Sequence, residues 1–107
     1  MTTFDDRKDS FEKKFAHDEA LRFKAEARRN KLLGQWAAGL MGLEGEKAED
    51  YAKSVVMADF QEAGDDDVFR KVKADLTAAG IEQSDHQIRR HMDEFMAAAI
   101  RQIKEQG

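Results

Sequence analysis

The chain has 107 residues, 37% of them charged, a net charge of −4, and neither cysteine nor proline. This length allows one domain core of ordinary size and excludes a two-domain enzyme. The missing cysteines exclude disulfides and cysteine zinc sites, and the acidic balance argues against a general nucleic-acid-binding surface. The sequence has no apolar run of the roughly 20 residues that span a bilayer and no signal peptide, so we expect a cytoplasmic protein without direct membrane insertion.

Residues 1–17 form a polar segment that contains three phenylalanines. Phe4, Phe11 and Phe15 are spaced seven and four residues apart, which places them within roughly 40° of one another on a helical wheel. A helix this short is marginal in water on its own. We therefore predict an N-terminal arm, flexible or marginally helical, that becomes ordered in the groove of a partner. The alternative is that the arm folds back onto the rest of the chain as a hydrophobic cap.

Residues 18–107 are predicted to fold as an all-α four-helix bundle, because helix-forming residues predominate and no proline interrupts them. The first predicted helix covers about residues 18–41 and the second about residues 46–63, and short connections favour an antiparallel arrangement. Apolar residues at helical spacing give the expected buried positions of the first helix: Leu21, Ala25, Leu32, Trp36 and Leu40. Those of the second are Ala48, Tyr51, Ala52, Val55, Val56 and Ala63.

Capping residues mark the starts of the third and fourth predicted helices. Asp65 follows Gly64 and is the expected N-cap of a helix that ends at about Ala79. Ser84 and Gln87 have the spacing of a capping box, which predicts a fourth helix over about residues 85–104. The expected buried residues of these two helices are Val68, Phe69, Val72, Leu76, Ile88, Met92, Phe95, Met96, Ala99 and Ile103.

The charge is distributed unevenly along the chain. Residues 18–33 hold five basic and three acidic side chains, whereas residues 44–67 hold nine acidic and two basic ones. Such asymmetry is typical of solvated helix faces. The basic stretch also offers charge, and a nearby tryptophan offers a stacking face, for a nucleotide. The candidate nucleotide-binding residues are Arg28, Arg29, Lys31 and Trp36.

One carboxylate is predicted to face the core. Asp59 falls within the apolar stripe of the second predicted helix, which indicates an ion pair with a basic residue of a neighbouring helix or a ligand-binding role. His86 and His91 lie roughly 140° apart on a helix and cannot chelate one metal ion from one face. His91 is expected to pack half-buried, with pH sensing as the alternative. No second group is positioned for acid–base chemistry, so we expect neither an enzyme, nor a metal site, nor a required cofactor.

Two segments are distinctive in combination: FDDRKDSFEKKFAHDEALRFKAEARRNKLLGQWAA and YAKSVVMADFQEAGDDDVFRKVKADL. Together they closely resemble the zeta subunits of alphaproteobacterial ATP synthases, which are small inhibitors of the rotary ATPase. The resemblance extends from Phe4 to about Ile103. It includes the arm with its phenylalanines, Trp36 followed by two alanines, and the Ala-Asp-Phe sequence at residues 58–60.

The resemblance implies a bundle whose arm enters the catalytic head at an interface between the alpha and beta subunits and blocks ATP hydrolysis. The central stalk is a further candidate partner. The resemblance also implies weak binding of ADP or ATP to the bundle, and a position peripheral to the inner membrane through the ATP synthase. Carried onto this sequence, the expected inhibitory contacts are Phe4, Asp5, Arg7, Lys8, Phe11, Glu12, Lys14 and Phe15.

Two other functions remain open from the sequence. The first is a binding module that senses adenine nucleotides through a change of shape. The second is an adaptor bundle that has no inhibitory activity and docks another protein through its acidic second helix.

Overall fold

The computed structural model describes residues 18–59 and 65–106. Within these two ranges the chain forms four α-helices and no strand: α1 Glu19–Leu40, α2 Gly45–Ala58, α3 Asp66–Ala78 and α4 Asp85–Gln106. The predicted all-α four-helix fold is confirmed.

Local backbone chemistry fixes both ends of α1. The carboxylate of Asp18 accepts hydrogen bonds from the backbone N–H groups of Ala20 at 3.0 Å and Leu21 at 3.2 Å. These groups have no partner within the helix, so the N-cap stabilises its first turn. At the other end Gly42 adopts a φ of +76°, a conformation that residues with a Cβ adopt at a cost. The chain therefore leaves α1 where the sequence places a glycine.

The predicted capping box of α4 is confirmed. The Ser84 hydroxyl accepts a hydrogen bond from the backbone N–H of Gln87 at 3.1 Å, and the Gln87 side-chain oxygen accepts one from the backbone N–H of Ser84 at 2.9 Å. At the start of α3, Asp65 occupies the predicted N-cap position, but its side chain makes no capping hydrogen bond. Its carboxylate instead pairs with two arginines, described below.

The second helix is shorter than predicted. It ends at Ala58, and Asp59 is its C-cap residue. Aspartate has low helix propensity, and its negative charge opposes the helix dipole at a C-terminus. Residues 60–63, the rest of the predicted helix, lie outside the described residues.

The main core lies where all four helices meet. It consists of buried apolar residues from each of them: Leu33, Ala37, Val55, Val68, Val72, Leu76, Ile88 and Met92. A smaller cluster around Ala25 and Ile103 joins the N-terminal half of α1 to the C-terminal part of α4. The two long helices therefore pair beyond the region where α2 and α3 complete the bundle.

The predicted buried stripe of α1 is partly wrong. Leu32 is only half-buried and Leu40 is 37% exposed, whereas Leu33 and Ala37 are fully buried. Because α1 contacts α2, α3 and α4, it buries a broad arc that includes alanine and glycine positions. A prediction that follows the large apolar residues misses such an arc.

Several other residues that were predicted to be buried are half-buried at the rim of the core: Leu21, Trp36, Ala48, Tyr51, Val56, Phe69, Phe95 and Met96. Most of them are large side chains that cover the core and keep one edge in water.

Helices α1 and α2 are antiparallel and approach closely. Gly34 faces Ala52, and a Cβ atom added at Gly34 would lie 2.6 Å from the Cα atom of Ala52. Earlier in α1, Arg29 acts electrostatically on Asp59, which follows the end of α2. The two contacts therefore show that α1 and α2 run in opposite directions. Gly34 permits the close contact where the two helices cross.

Candidate functional site

The predicted inhibitory arm lies outside the described residues. The same holds for each contact residue assigned to it: Phe4, Asp5, Arg7, Lys8, Phe11, Glu12, Lys14 and Phe15. The described chain begins at Asp18, the N-cap of α1. Residues 1–17 therefore precede the end of α1 that, among the described residues, packs against α4 through the smaller core cluster.

The four predicted nucleotide-binding residues do not converge on one site. Arg29 is 5% exposed, and Trp36 is half-buried against the main core. Arg28 and Lys31 lie on the outer face of α1, where Arg28 is half-buried and Lys31 is exposed. Of the four, only these two present cationic side chains on a common surface.

Arg29 belongs to an internal polar cluster. Its Nε donates a hydrogen bond to the side-chain oxygen of Asn30 at 3.0 Å, and its Nη1 lies 3.6 Å from Oδ2 of Asp65. Asp65 also lies 3.2 Å from Nη1 of Arg89 on α4. A buried guanidinium is stable only when it is paired. Arg29 therefore connects α1 to the start of α3, and through Asp65 to α4.

Arg89 completes this cluster at the protein surface. Its Nη2 lies 2.8 Å from Oδ1 of Asp66, and its guanidinium carbon lies 4.2 Å from the centre of the Phe69 ring. The hydrogen bond to Asp66 raises the pKa of Arg89, and the charge of Asp65 adds to this effect. Arg89 thus combines ion pairs with a cation–π contact. We call Arg29, Asn30, Asp59, Asp65, Asp66 and Arg89 the Arg29 cluster.

Asp59 lies at the edge of the Arg29 cluster. It is half-buried, and it makes no ion pair within 4 Å among the described residues. Burial raises the pKa of its carboxyl group, and Arg29 and Asn30 oppose this only in part. The predicted core-facing ion pair is therefore replaced by a partly desolvated carboxylate near Arg29. The ligand-binding alternative remains a prediction.

His91 packs half-buried, as predicted. Its ring stacks on Trp36 with centroids 4.2 Å apart and on Phe95 with centroids 5.9 Å apart. Its Nδ1 lies 3.7 Å from a carboxylate oxygen of Glu94. Trp36 is therefore engaged on the α4 side of α1, away from Lys31.

A second polar contact, between α2 and α3, was not predicted from the sequence. The Tyr51 hydroxyl donates a hydrogen bond to Oδ2 of Asp75 at 2.8 Å, and Nζ of Lys71 lies 3.0 Å from the same oxygen. Burial, followed by the hydrogen bond and the charge of Asp75, raises the pKa of Tyr51 above its ordinary value. Tyr51 is therefore a neutral donor at physiological pH. The four-residue spacing of Lys71 and Asp75 was visible in the sequence, but their tyrosine partner was not.

A groove with an apolar floor opens between α1 and α2. It encloses about 580 Å³ and is lined by Lys31, Gln35, Glu49, Ala52, Lys53, Val56 and Met57. Met57 is 63% exposed, a large apolar side chain in water. Of these residues, only Lys31 is among the nucleotide-binding residues predicted from the sequence. Nearby, Gly34 lets α2 approach α1 closely. The groove combines side chains from both helices, an arrangement that no single-helix pattern reveals.

The described residues contain neither a candidate metal site nor a candidate membrane span. Among them, no group of three histidine, aspartate or glutamate side chains is placed to hold a metal ion. None of the described helices combines the length and the apolar character needed to cross a membrane.

Comparison with known sequences decides the family. A sequence profile described as "ATPase inhibitor subunit zeta" matches residues 1–102, which includes both the arm and nearly all of the bundle. The chain belongs to the zeta family of ATPase inhibitor subunits. The resemblance inferred from the sequence is confirmed, and membership in a family of inhibitor subunits indicates a regulatory rather than a catalytic role.

Structural comparison supports the same fold for this zeta-family chain. A protein solved in solution by NMR superimposes with a TM-score of 0.71 and is 44% identical in sequence. The match covers 81% of this chain and 99% of that chain. No curated protein sequence matches the chain.

Proposed function

We propose that this zeta-family chain inhibits ATP hydrolysis by the rotary ATP synthase by inserting residues 1–17 between an alpha and a beta subunit of the catalytic head. The match of the inhibitor family to residues 1–102, arm and bundle together, carries the proposal. The bundle gives the arm a fixed point of attachment at the capped start of α1. The inhibitor then works from the cytoplasmic side, peripheral to the inner membrane through the ATP synthase, with the central stalk as a further contact.

The arm has the composition of a segment that binds in a cleft. Phe4, Phe11 and Phe15 supply the apolar contacts, and each contributes about 1.5–3 kcal/mol when buried. Basic and acidic residues between them, such as Arg7 and Glu12, set the register along the rim. Fixing about 15 residues costs roughly 1 kcal/mol or more per residue. The net binding free energy is therefore a small difference between the gain from burying the phenylalanines and the cost of ordering the arm. Any other conformation or binding place of the arm changes this difference.

Site-specific crosslinking tests the contact. A photoreactive phenylalanine analogue replaces Phe11 in the full chain, and a matched chain carries it at Arg101, which is exposed on α4. The proposal predicts adducts with the alpha and beta subunits from position 11 and few from position 101. Equal yields from the two positions, or no adduct with either subunit from position 11, would contradict it.

Weak binding of ADP or ATP to the bundle is a second proposal. It is supported by Arg28 and Lys31, which share the outer face of α1, and by the groove that Lys31 lines. Amide NMR shifts of the full chain during titration with each nucleotide provide the test. Localised shifts near these residues that disappear in Lys31→Ala, but persist in the control Lys47→Ala, would support it. Shifts without localisation would contradict it.

A further inference from the structure

The outer face of α1 carries unpaired positive charge. Lys24, Arg28 and Lys31, which we call the basic ridge, lie within roughly 60° of one another and about 10 Å apart along the helix axis. Within the described parts of the chain none of them has an ion-pair partner within 4 Å. In a chain of net charge −4, this ridge is a local positive surface that attracts an acidic segment.

Apolar side chains lie near the basic ridge at two levels of α1. Lys31 lines the groove between α1 and α2, whose floor includes Val56 and the 63% exposed Met57. Nearer the N-terminus of α1, Phe23 is 54% exposed. Cations beside exposed apolar side chains fit an amphipathic helix that has an aromatic stripe and acidic residues on one flank.

We propose that residues 4–15 of this same chain occupy this surface by folding back antiparallel to α1. The inference rests on the proposed function, because it assigns a second, competing binding place to the inhibitory arm. An arm held on α1 is not available to the catalytic head, so docking within the chain reduces inhibition.

The spacing of charges supports the register. Each helix advances about 1.5 Å per residue. In an antiparallel pair, the number of an arm residue and the number of the α1 residue beside it therefore always add up to the same value. For a chain that turns near Asp18, this value is roughly 36. This register places Asp5 level with Lys31 and Glu12 level with Lys24. Two pairs of opposite charge thus match over two helical turns without any adjustment of the register.

The flanks of the arm support the antiparallel direction. In a helix over residues 4–15, Asp5 and Glu12 lie roughly 80–100° to one side of the phenylalanine stripe, and Arg7 and Lys14 lie roughly 60–80° to the other. With the stripe facing the groove, an antiparallel arm directs the acidic flank toward α1. A parallel arm would direct Arg7 and Lys14 against the basic ridge. Charge complementarity therefore selects the direction that a tight turn at residue 18 permits.

The same register gives each phenylalanine an apolar neighbour. Phe4 lies over the groove between α1 and α2, and Phe11 and Phe15 lie on either side of the level of Phe23. Asp9 is within one residue of the level of Arg28, but it lies roughly 140° from the centre of the stripe, beyond the acidic flank that Asp5 and Glu12 form. Lys8 is the one basic residue on the acidic side of the stripe.

A spin label in the free chain tests the docking. The chain has no cysteine, so Thr3→Cys provides a single site for a nitroxide in the full-length protein. We expect paramagnetic broadening of the amide signals of residues 31–35 and 52–57. Reversal of the ridge with Lys24→Glu and Lys31→Glu should reduce this broadening at least two-fold, and adding Asp5→Lys and Glu12→Lys should restore it. The matched control, Lys47→Glu with Arg101→Glu, changes the net charge equally and should leave it unchanged.

Three results would overturn the inference. The first is broadening that persists after Lys24 and Lys31 are both changed to glutamate. The second is the absence of broadening at residues 31–35. The third is broadening that occurs only between spin-labelled and isotope-labelled molecules, which would indicate that a second copy of the chain occupies the surface. Because this experiment contains no ATP synthase, its outcome does not depend on the proposed function.

Inhibition provides the second readout. An arm docked about nine-tenths of the time lowers the apparent affinity for the head about ten-fold. The ridge-reversed chain should therefore inhibit at a concentration about three- to ten-fold lower than the natural chain. Equal potency of the two chains would contradict a regulatory role of docking. If neither chain inhibits, the proposed function fails, while the broadening result stands on its own.

Discussion

Arginine side chains occupy two different electrostatic environments in this bundle. Arg29 is 5% exposed and joins Asn30 and Asp65 inside the fold. Arg90 is 60% exposed at its side chain and lies 3.6 Å from Glu94, one turn away on the same helix. Burial of a paired charge makes the loss of either partner costly, whereas an exposed pair is screened by water.

We expect Arg29→Met to lower the free energy of unfolding by roughly 1–3 kcal/mol, because it leaves buried polar partners unpaired. The matched change Arg90→Met should cost less than about 0.5 kcal/mol. Urea unfolding followed by circular dichroism measures both. Similar small losses in the two variants would show that Arg29 is not structural and would return it to the candidate nucleotide site.

We expect the carboxyl group of Asp59 to make the stability of the chain depend on pH. Burial raises the pKa of its carboxyl group in the folded chain, so the protonated form is favoured by folding. Its contribution is therefore fully present below the pKa of the unfolded chain and is lost as the pH rises through the folded pKa. Asp59→Asn, neutral at every pH, should be more stable than the natural chain at pH 7, and the difference should shrink toward zero on acidification.

The control for this prediction is Asp66→Asn. Asp66 pairs with Arg89 at 2.8 Å, so its neutralisation removes an ion pair and should not stabilise the chain at pH 7. Unfolding curves at a series of pH values separate the two cases. A stability difference between Asp59→Asn and the natural chain that does not vary with pH would contradict the account of Asp59.

At the scale of the helices, the contact between α1 and α2 depends on one glycine. A Cβ atom at Gly34 would lie 2.6 Å from the backbone of Ala52, whereas one at Gly39 would meet nothing within 4 Å. Both positions lie within α1 and have negative φ. Changing each of these two glycines to alanine therefore separates the effect of side-chain packing on stability from the effect of helix propensity.

Gly34→Ala should destabilise the bundle by about 1–3 kcal/mol through overpacking, and Gly39→Ala should stabilise it by about 0.5–1 kcal/mol through propensity. The midpoint of thermal unfolding measures both, and the two shifts should have opposite signs. Stabilisation by Gly34→Ala would show that α2 moves away from α1 without cost, and that the groove beside this crossing is not fixed.

Helix positions were largely predictable because their signals are local. The Ser84–Gln87 capping box and the helix-forming composition of α4 lie within a few residues of the structure they determine. The buried arc of α1 was not predictable in full, because burial of Gly34 and Ala37 depends on α2, α3 and α4 together. The end of α2 was missed since the apolar periodicity outweighed the low helix propensity of Asp59.

Functional residues were harder to predict than helices. Arg29, Lys31 and Trp36 lie close together in sequence, but the helix directs them to the protein interior, the α2 groove and the α4 face respectively. The groove combines side chains from two helices, and the Arg29 cluster combines three helices with the end of α2. Such sites depend on the packing of several helices against one another, which a helical wheel of a single helix does not show.

At the scale of the whole molecule, a four-helix bundle follows residues 1–17, which carry three phenylalanines and which we predict to form an arm. The family match includes both parts. The main core holds the four helices together, and the paired ends of α1 and α4 support the point where the arm begins. We infer a division of labour in which the arm binds the ATP synthase and the bundle positions the arm and competes for it.

Inhibition of ATP hydrolysis by the isolated catalytic head tests the central claim most directly. The natural chain is compared with a variant in which Phe4, Phe11 and Phe15 are alanine, and with a control that carries Asp6→Ala and Lys13→Ala on the opposite face of the arm. We predict that the natural chain and the control inhibit, and that the triple phenylalanine variant loses inhibition while its helical circular dichroism is retained. Undiminished inhibition by the triple variant would contradict the account.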